Sequence, residues 1–514
     1  MLKVKKLDMD AGNIYIVVFN EATLKKYGLH PLDRVDVIKK RERLTCIINV
    51  SNRIVENDEI GLYRCVAEGL KLETGDNVRI EIQLEPKSVE YIKEKLAGKN
   101  LNFKEIREIV VDTVNRDLTD VEIAAFVTGL EVNGMTMDEA EYLSRTMVET
   151  SKTLNFGKKV YDKHSLGGIP GKKETLLVVP IVAAAGLFIP KTSSRAISSP
   201  AGTADIVETI ANVEFGFEEI KRIVKECNGC MVWGGAVDLA PADDIFVNIE
   251  YPLKIDPLFL PSVMSKKKAV NSSHVVIDIP TGRGAKIKTF MEANKIAEDF
   301  IELGKRLNIE VRCAITHGDQ PVGHAIGPAL EAKEALETLM GKGPESLINK
   351  AIGLSTIIFE MAGKKDPKEL AERILKSGKA ERKFRQIIGA QGGNPKLKPS
   401  DIPVGMNKFE VRSARKGRVF WIRNDLVIEL ARKLGCPKDK GAGILLNKKV
   451  GYSVKKNELL FMMYSDNDRR FSSALKFLQH SEPIIVRESA SEEMIIDTVP
   501  SRKHRYKGSF FFER

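Results

Sequence analysis

The sequence predicts an α/β fold with a small helical domain, a large mixed-sheet α/β domain and an extra β-rich domain at the N-terminus. Three observations carry this. Strand–turn–helix units alternate from Lys158 to about Gly389, the pattern of a mixed or parallel sheet covered by helices. A stretch of purely helical period runs before them, from Pro86 to about Ser151. Alternating apolar runs broken by Asn, Asp and Gly turns fill the chain up to about residue 84.

A chain of 514 residues is too long for one hydrophobic core. We expect an N-terminal β-rich domain over 1–84 and a helical domain over 85–157, joined by part of about 240–275. A central α/β domain follows over 158–400, then a C-terminal α+β domain over 405–500 and a basic tail over 501–514. In the first of these, IYIVVF and VRIEIQL read as strands. In the second, SVEYIKEKLAGKNL is amphipathic and stops at Gly98, Leu118-Thr119-Asp120 offers an N-cap before VEIAAFVTGL, and MTMDEAEYLSRTMVETS carries its acids early. The central domain opens with the strand KKVYDKHS, a Gly-rich turn and the helix KETLLVVPIVAAAGL. The apolar strand VVIDIP, a helix from about Phe290 to Leu307 and the strand EVRCAIT come later. Residues 389–405 are a Gly/Pro-rich linker. Beyond it lie a helix near Asp425 to Leu434 and strands in GILLNKKVG and ELLFMMY.

Composition narrows the function. Apolar residues make up 43% and charged residues 29%, which sets aside disordered and fibrous classes. The net charge of +11 arises from interleaved Lys+Arg (81) and Asp+Glu (70), a solvated surface rather than a nucleic-acid stripe. We therefore expect no nucleic-acid partner. The most apolar stretch, Leu176 to Pro190, is too short to span a bilayer and holds Pro180 and Gly186. MLKVKKLDMD lacks the apolar core of a secretory signal, so a cytoplasmic protein without a membrane partner is expected. Cys227 and Cys230 form the one CxxC, with no histidine near it, so the six cysteines are expected as free thiols and no metal site is expected.

Four segments at strand ends carry the chemistry, and strand ends are where open α/β sheets bind ligands. Lys163-His164-Ser165-Leu166-Gly167-Gly168 brings backbone amides, a hydroxyl and an ammonium to a turn, which suits phosphate. The segment from Thr192 to Asp205 crowds hydroxyls around Arg195 and ends at a helix that Thr203 can cap. Between Ala240 and Lys268, Ser262 and Lys266 stand i to i+4 and share a helical face. Asp256 lies there in KIDPLFLP, an apolar setting whose burial would raise its pKa and keep it protonated as an acid. The fourth segment runs from Asp278 to Lys286. Taken singly, a plain tight turn, a solvated Ser/Thr loop and a helix cap remain open readings of the first three.

Together, SSRAISSPAGTADIVE, KHSLGGIPG, SVMSKK and KEKLAGKNL resemble the signature segments of the thymidine and pyrimidine-nucleoside phosphorylase family, over about residues 86–490. The extra N-terminal domain, Pro170 and SSPAGTAD resemble its archaeal AMP phosphorylase branch. The thymidine branch carries a base-contacting arginine, and none lies here between Asp243 and Lys266; Glu250 stands near that place. The resemblance implies a nucleoside phosphorylase-like fold and phosphorolysis of AMP to free base and ribose 1,5-bisphosphate, with CMP and UMP as further candidates. The alternative is a pyrimidine nucleoside (thymidine/uridine) phosphorylase.

Residue by residue, the resemblance implies Lys163, Ser165, Ser193 and Thr203 for phosphate, and Asp256 as proton donor with His164 beside base and sugar. For AMP it implies Gly168, Ser194, Arg195, Ala196, Ile197, Ser198, Ser199, Thr203, Ser262, Lys266 and Lys286. It implies no cofactor, orthophosphate as co-substrate, and a homodimer or larger homo-oligomer.

Overall fold

The computed structural model describes residues 1–12, 14–82, 85–196, 199–237 and 239–488. The expected tail over 501–514 lies outside them. The chain divides into two compact units, 1–146 with 245–258, and 147–244 with 259–514.

The first unit begins with a closed six-stranded barrel. Its strands are β1 (Leu2–Lys6), β2 (Ile16–Phe19), β3 (Arg34–Lys39), β4 (Glu42–Val50), β5 (Glu59–Leu62) and β6 (Asn77–Ile82), in the order β1-β5-β2-β4-β3-β6. Closure leaves no free edge. The alternating apolar positions Leu2, Val4, Val17, Phe19, Val35, Val37, Ile60 and Leu62 fill its interior. Four helices follow, Ser88–Leu96, Phe103–Val114, Asp120–Asn133 and Met137–Glu149. Thr119 caps the third as expected: the Glu122 amide donates to its Oγ1, and its own amide donates to Glu122 Oε2 at 2.7 Å. Lys95 of the KEKLAGKNL segment is buried and ion-paired with Glu139 at 2.7 Å. Glu139 Oε1 also accepts the Leu101 amide at 3.0 Å, so this lysine ties helices together.

The second unit carries the parallel strands. β7 (Tyr161–Ser165), β10 (His274–Thr281) and β11 (Glu310–His317) form one sheet in the order β11-β10-β7. β8 (Ile189–Ser193) pairs with β9 (Gly229–Trp233), and a parallel bridge from Val160 to Phe188 runs beside β7. All these pairings are parallel, the second of the two arrangements expected. Parallel strands need crossovers, and apolar helices such as Thr175–Ala184, buried on every side, supply them. Register sets Ser165 opposite Asp278, and Thr316 opposite Pro280.

The C-terminal part has its own core, including Val419, Ile422, Leu430, Ile444, Phe461 and Met463. One antiparallel sheet has the order β12-β15-β17-β13, from β12 (Ala325–Ile326), β13 (Asn407–Arg412), β15 (Gly443–Leu446) and β17 (Leu459–Ser465). A second combines β14 (Gly417–Ile422) with β16 (Ser453–Val454) and β18 (Ile484–Arg487). The short β12 belongs to the connection that leaves β11, so this sheet is knit into the loop beside the parallel strands.

Candidate active site

β7 reads Tyr-Asp-Lys-His-Ser, a buried strand that carries charge. Charges in such a place require partners. Lys163 is ion-paired with Glu174, which is fully buried, and donates to Thr175 Oγ1 at 3.3 Å. Asp162 is ion-paired with Lys267 at 2.7 Å and lies 3.6 Å from Lys191. Asp278, fully buried on β10, takes Lys350 at 2.8 Å, the Ser165 hydroxyl at 2.5 Å and the Thr316 hydroxyl at 2.6 Å. Lys172 donates to the Leu166 carbonyl at 3.1 Å.

Five lysines (163, 172, 191, 267 and 350) thus surround three carboxylates (162, 174 and 278). The surplus is positive. Burial lowers the Lys172 pKa to about 8, with Lys163 and Lys350 adding to the effect against Glu174 and Asp278. Burial also pushes Lys191 well below the usual lysine range. For Glu174 burial works upward, yet Lys163 and Lys350 overcome it and hold its pKa low. His164 is driven well below the ordinary imidazole range by burial and by Lys267, Lys191, Lys172 and Lys163. It is a neutral hydrogen-bonding ring at neutral pH. A cluster of this balance attracts a small anion.

The first and fourth segments and the helix of the third meet beside the cluster. Gly168 adopts φ +102°, and a β-carbon there would lie 2.6 Å from the Lys286 amide nitrogen, so the first and fourth segments touch. The Lys286 ammonium sits 4.6 Å from the Phe259 ring, which brings in the helix Phe259–Ala269. On that helix Ser262 and Lys266 are half-buried together, as their spacing predicts, and Lys266 pairs with buried Asp243 at 2.5 Å. The next residue, Lys267, turns inward to Asp162. Asp319 accepts the Arg283 amide at 2.8 Å. Asn424, from the C-terminal part, donates to the carbonyls of Gly284 (3.1 Å) and Gly318 (2.9 Å).

The serine-rich loop is closed by Asp205, whose Oδ2 accepts the amides of Ala196 (2.7 Å) and Gly202 (3.0 Å). Gly202 packs against the Ser194 carbonyl, where a β-carbon would stand 2.7 Å away. Ser194 is exposed, Ser193 Oγ donates to the Val232 carbonyl at 3.3 Å, and Ser199 Oγ to the Ala201 carbonyl at 3.0 Å. Ile197 and Ser198 lie outside the described residues.

Several expectations change in detail. Thr203 is the first helical residue and Gly202 the N-cap, because Asp205 already satisfies the cap amide. Arg195 forks onto Glu208 (2.7 and 2.8 Å), reaches Glu214 at 2.9 Å and stacks 4.6 Å over Trp233. Its charge braces the loop. Ser165, expected as a donor to phosphate, gives its proton to Asp278. Asp256 is exposed, so the buried setting expected for it is not found. It sits in a turn braced by Glu250, a buried carboxylate whose Oε1 accepts the Leu258 amide at 3.1 Å.

Sequence reasoning gave no role to Lys172, Lys191, Lys267, Lys350, Thr316 or Asn424. A lysine inside the apolar strand at Lys191 is a readable signal, because a buried ammonium demands a carboxylate. Lys350 and Thr316 give none, since only tertiary packing brings them to Asp278.

Comparison with known proteins identifies three domains. Residues 89–151 match the glycosyl transferase family helical bundle domain, 157–381 the a/b domain of that family, and 422–484 the pyrimidine nucleoside phosphorylase C-terminal domain. An AMP phosphorylase of Thermococcus kodakarensis is 49% identical over 489 residues, covering 94% of this chain and 97% of the relative. That of Methanocaldococcus jannaschii is 49% identical with the same coverage, and that of Thermofilum pendens 42% identical over 97% of both. Among solved structures, anthranilate phosphoribosyltransferase from Thermus thermophilus superposes with a TM-score of 0.50 at 18% identity, over 59% of this chain and 99% of that one. That likeness shows the fold alone.

Proposed function

The chain belongs to the AMP phosphorylase family, and from that premise we propose that it is a pentosyltransferase that cleaves AMP with orthophosphate to adenine and ribose 1,5-bisphosphate. The observation that carries the proposal is the surplus of buried lysine charge at the ends of the parallel strands. A phosphate oxygen attacks C1′ as the C1′–N9 bond breaks. The sugar passes through an oxocarbenium-like state, which the anionic nucleophile stabilises. The electron pair of the broken bond goes to the purine, and a proton delivered to N7 neutralises it.

Asp256 is our candidate for that acid. Lys163 and Ser165 anchor the phosphate, with Ser193 and Thr203 on the adjoining loop. Neutral His164 faces the sugar and base. Lys286 is the cation assigned to the 5′-phosphate. Ser262 and Lys266 are assigned to the base. No cofactor enters the scheme; phosphate is the co-substrate. Six free cysteines fit a reducing cytoplasmic compartment, and among the described residues no helix is long and apolar enough to cross a membrane. We extend the reading to CMP and UMP as further substrates and to a homo-oligomer as the working form. Pyrimidine nucleosides are disfavoured: relatives at 42–49% identity are AMP phosphorylases, and no arginine lies between Asp243 and Lys266.

The test follows free base from AMP, CMP, UMP, adenosine, thymidine and uridine, with and without orthophosphate. AMP should be cleaved only when phosphate is present. AMP left intact at saturating phosphate, or thymidine cleaved faster than AMP, would overturn the proposal.

A further inference from the structure

We propose that Asp278 is a positioning residue that makes the phosphate site select an oxyanion carrying a proton, so that orthophosphate is taken and sulfate is turned away. The inference rests on the assignment of Ser165 to the phosphate site. Asp278 Oδ2 receives the Ser165 hydroxyl at 2.5 Å and the Lys350 ammonium at 2.8 Å, and Oδ1 receives the Thr316 hydroxyl at 2.6 Å. Lys350 also donates to Thr316 Oγ1 at 3.2 Å. An ion-paired carboxylate only accepts, and a hydroxyl has a single proton to give. Both hydroxyl protons are therefore committed to Asp278.

The consequence falls on Ser165. It is half-buried at the end of β7, beside the Gly-rich turn, and turns lone pairs rather than a proton to an incoming anion. An unprotonated oxyanion oxygen placed there meets lone pair against lone pair. Monohydrogen phosphate carries one P–OH, which donates to Ser165 Oγ and leaves three bare oxygens for the lysines and for attack on C1′. Sulfate at neutral pH is also a dianion but has no proton to offer. Coulomb attraction to the lysines does not separate two dianions, so the hydrogen bond does. Ser165 could rotate its proton to sulfate only by stripping a donor from a fully buried carboxylate. That cost is worth about tenfold to a hundredfold in affinity.

Three measurements on the full-length enzyme decide it: the KM for phosphate, the KM for arsenate, which also carries a proton, and the competitive inhibition constant of sulfate. In the wild type, arsenate should lie within about threefold of phosphate and sulfate at least about tenfold weaker. Asp278→Ala removes the acceptor, frees the Ser165 proton for the ligand, and should shrink the sulfate-to-phosphate ratio by about tenfold. Ser165→Ala spares the buried carboxylate, guards against a folding failure of the first variant, and should shrink the same ratio by removing the acceptor. A residue with a merely structural role would weaken both anions alike. Sulfate competing as well as phosphate in the wild type, or a ratio unmoved in the folded variants, overturns the inference while phosphate-dependent base release leaves the function standing. Absence of that release in the wild type removes both.

Discussion

Gly168 lies against the Lys286 backbone so closely that a β-carbon at 168 would stand 2.6 Å from the Lys286 amide nitrogen, with φ at +102°. No side chain fits without moving the loop that carries Lys286. Gly168→Ala should cost about 1–3 kcal/mol of stability, through strain and overpacking. It should raise the KM for AMP more than the KM for phosphate, because the displaced cation is the one assigned to the nucleotide. Steady-state kinetics with each substrate varied checks this; equal effects on both would separate Lys286 from the 5′-phosphate.

Asp256→Asn should lower turnover by about 10²–10⁴-fold, the usual worth of a general acid. The KM for AMP should stay within about threefold, and a thermal melt of the variant checks that it folds. Turnover unchanged by the substitution would remove Asp256 from the acid's role.

Lys172 titrates near pH 8, because burial lowers its pKa. Its ammonium is lost as pH rises through that value, so phosphate should bind progressively less well above about pH 8. The groups around it, Glu174, Lys163, Asp278 and Lys350, share the field that sets this limb. Lys172→Met should raise the phosphate KM at neutral pH and flatten the alkaline limb. A KM profile of the same shape in both proteins would exclude Lys172 as the titrating group.

Glu331 is buried, and burial raises its pKa to about 7 against the opposing charge of Lys173. The folded state binds this proton more tightly than the unfolded chain. Stability from this group is therefore fully present below about pH 4.5 and is lost as pH rises through about 7. Glu331→Gln keeps an acceptor for the Gly327 amide, which donates to Glu331 Oε1 at 3.0 Å. Unfolding free energies from urea titrations across that window should fall with pH in the wild type and fall less in the variant, by about 1–3 kcal/mol at the alkaline end. Parallel curves would show that another group governs the slope.

Local features of the site were legible because they are local. Lys163, Ser165 and Gly168 stand on one strand and the turn that ends it, and the i,i+4 spacing of Ser262 and Lys266 needs only a helix. The carboxylate that claims the Ser165 proton is set by strand register, which one sequence does not display: Asp278 pairs opposite Ser165 across β7 and β10. Asp256 misled for a related reason. Its neighbours Ile255, Pro257 and Leu258 are apolar in sequence, yet Leu258 turns inward while Asp256 turns out. The β-rich domain, the helical segment and the strand–helix alternation were readable because their apolar periods span whole elements, whereas closure of the six strands into a barrel was not.

Five lysines gathered about three carboxylates leave a surplus of positive charge, and an anion among them relieves the repulsion. Whatever binds the folded chain alone also protects it, by about 2.7 kcal/mol at a hundred times its dissociation constant. Orthophosphate is thus a chaperone of sorts for the protein that consumes it. Cells starved of phosphate would slow the reaction and shorten the working lifetime of its catalyst together.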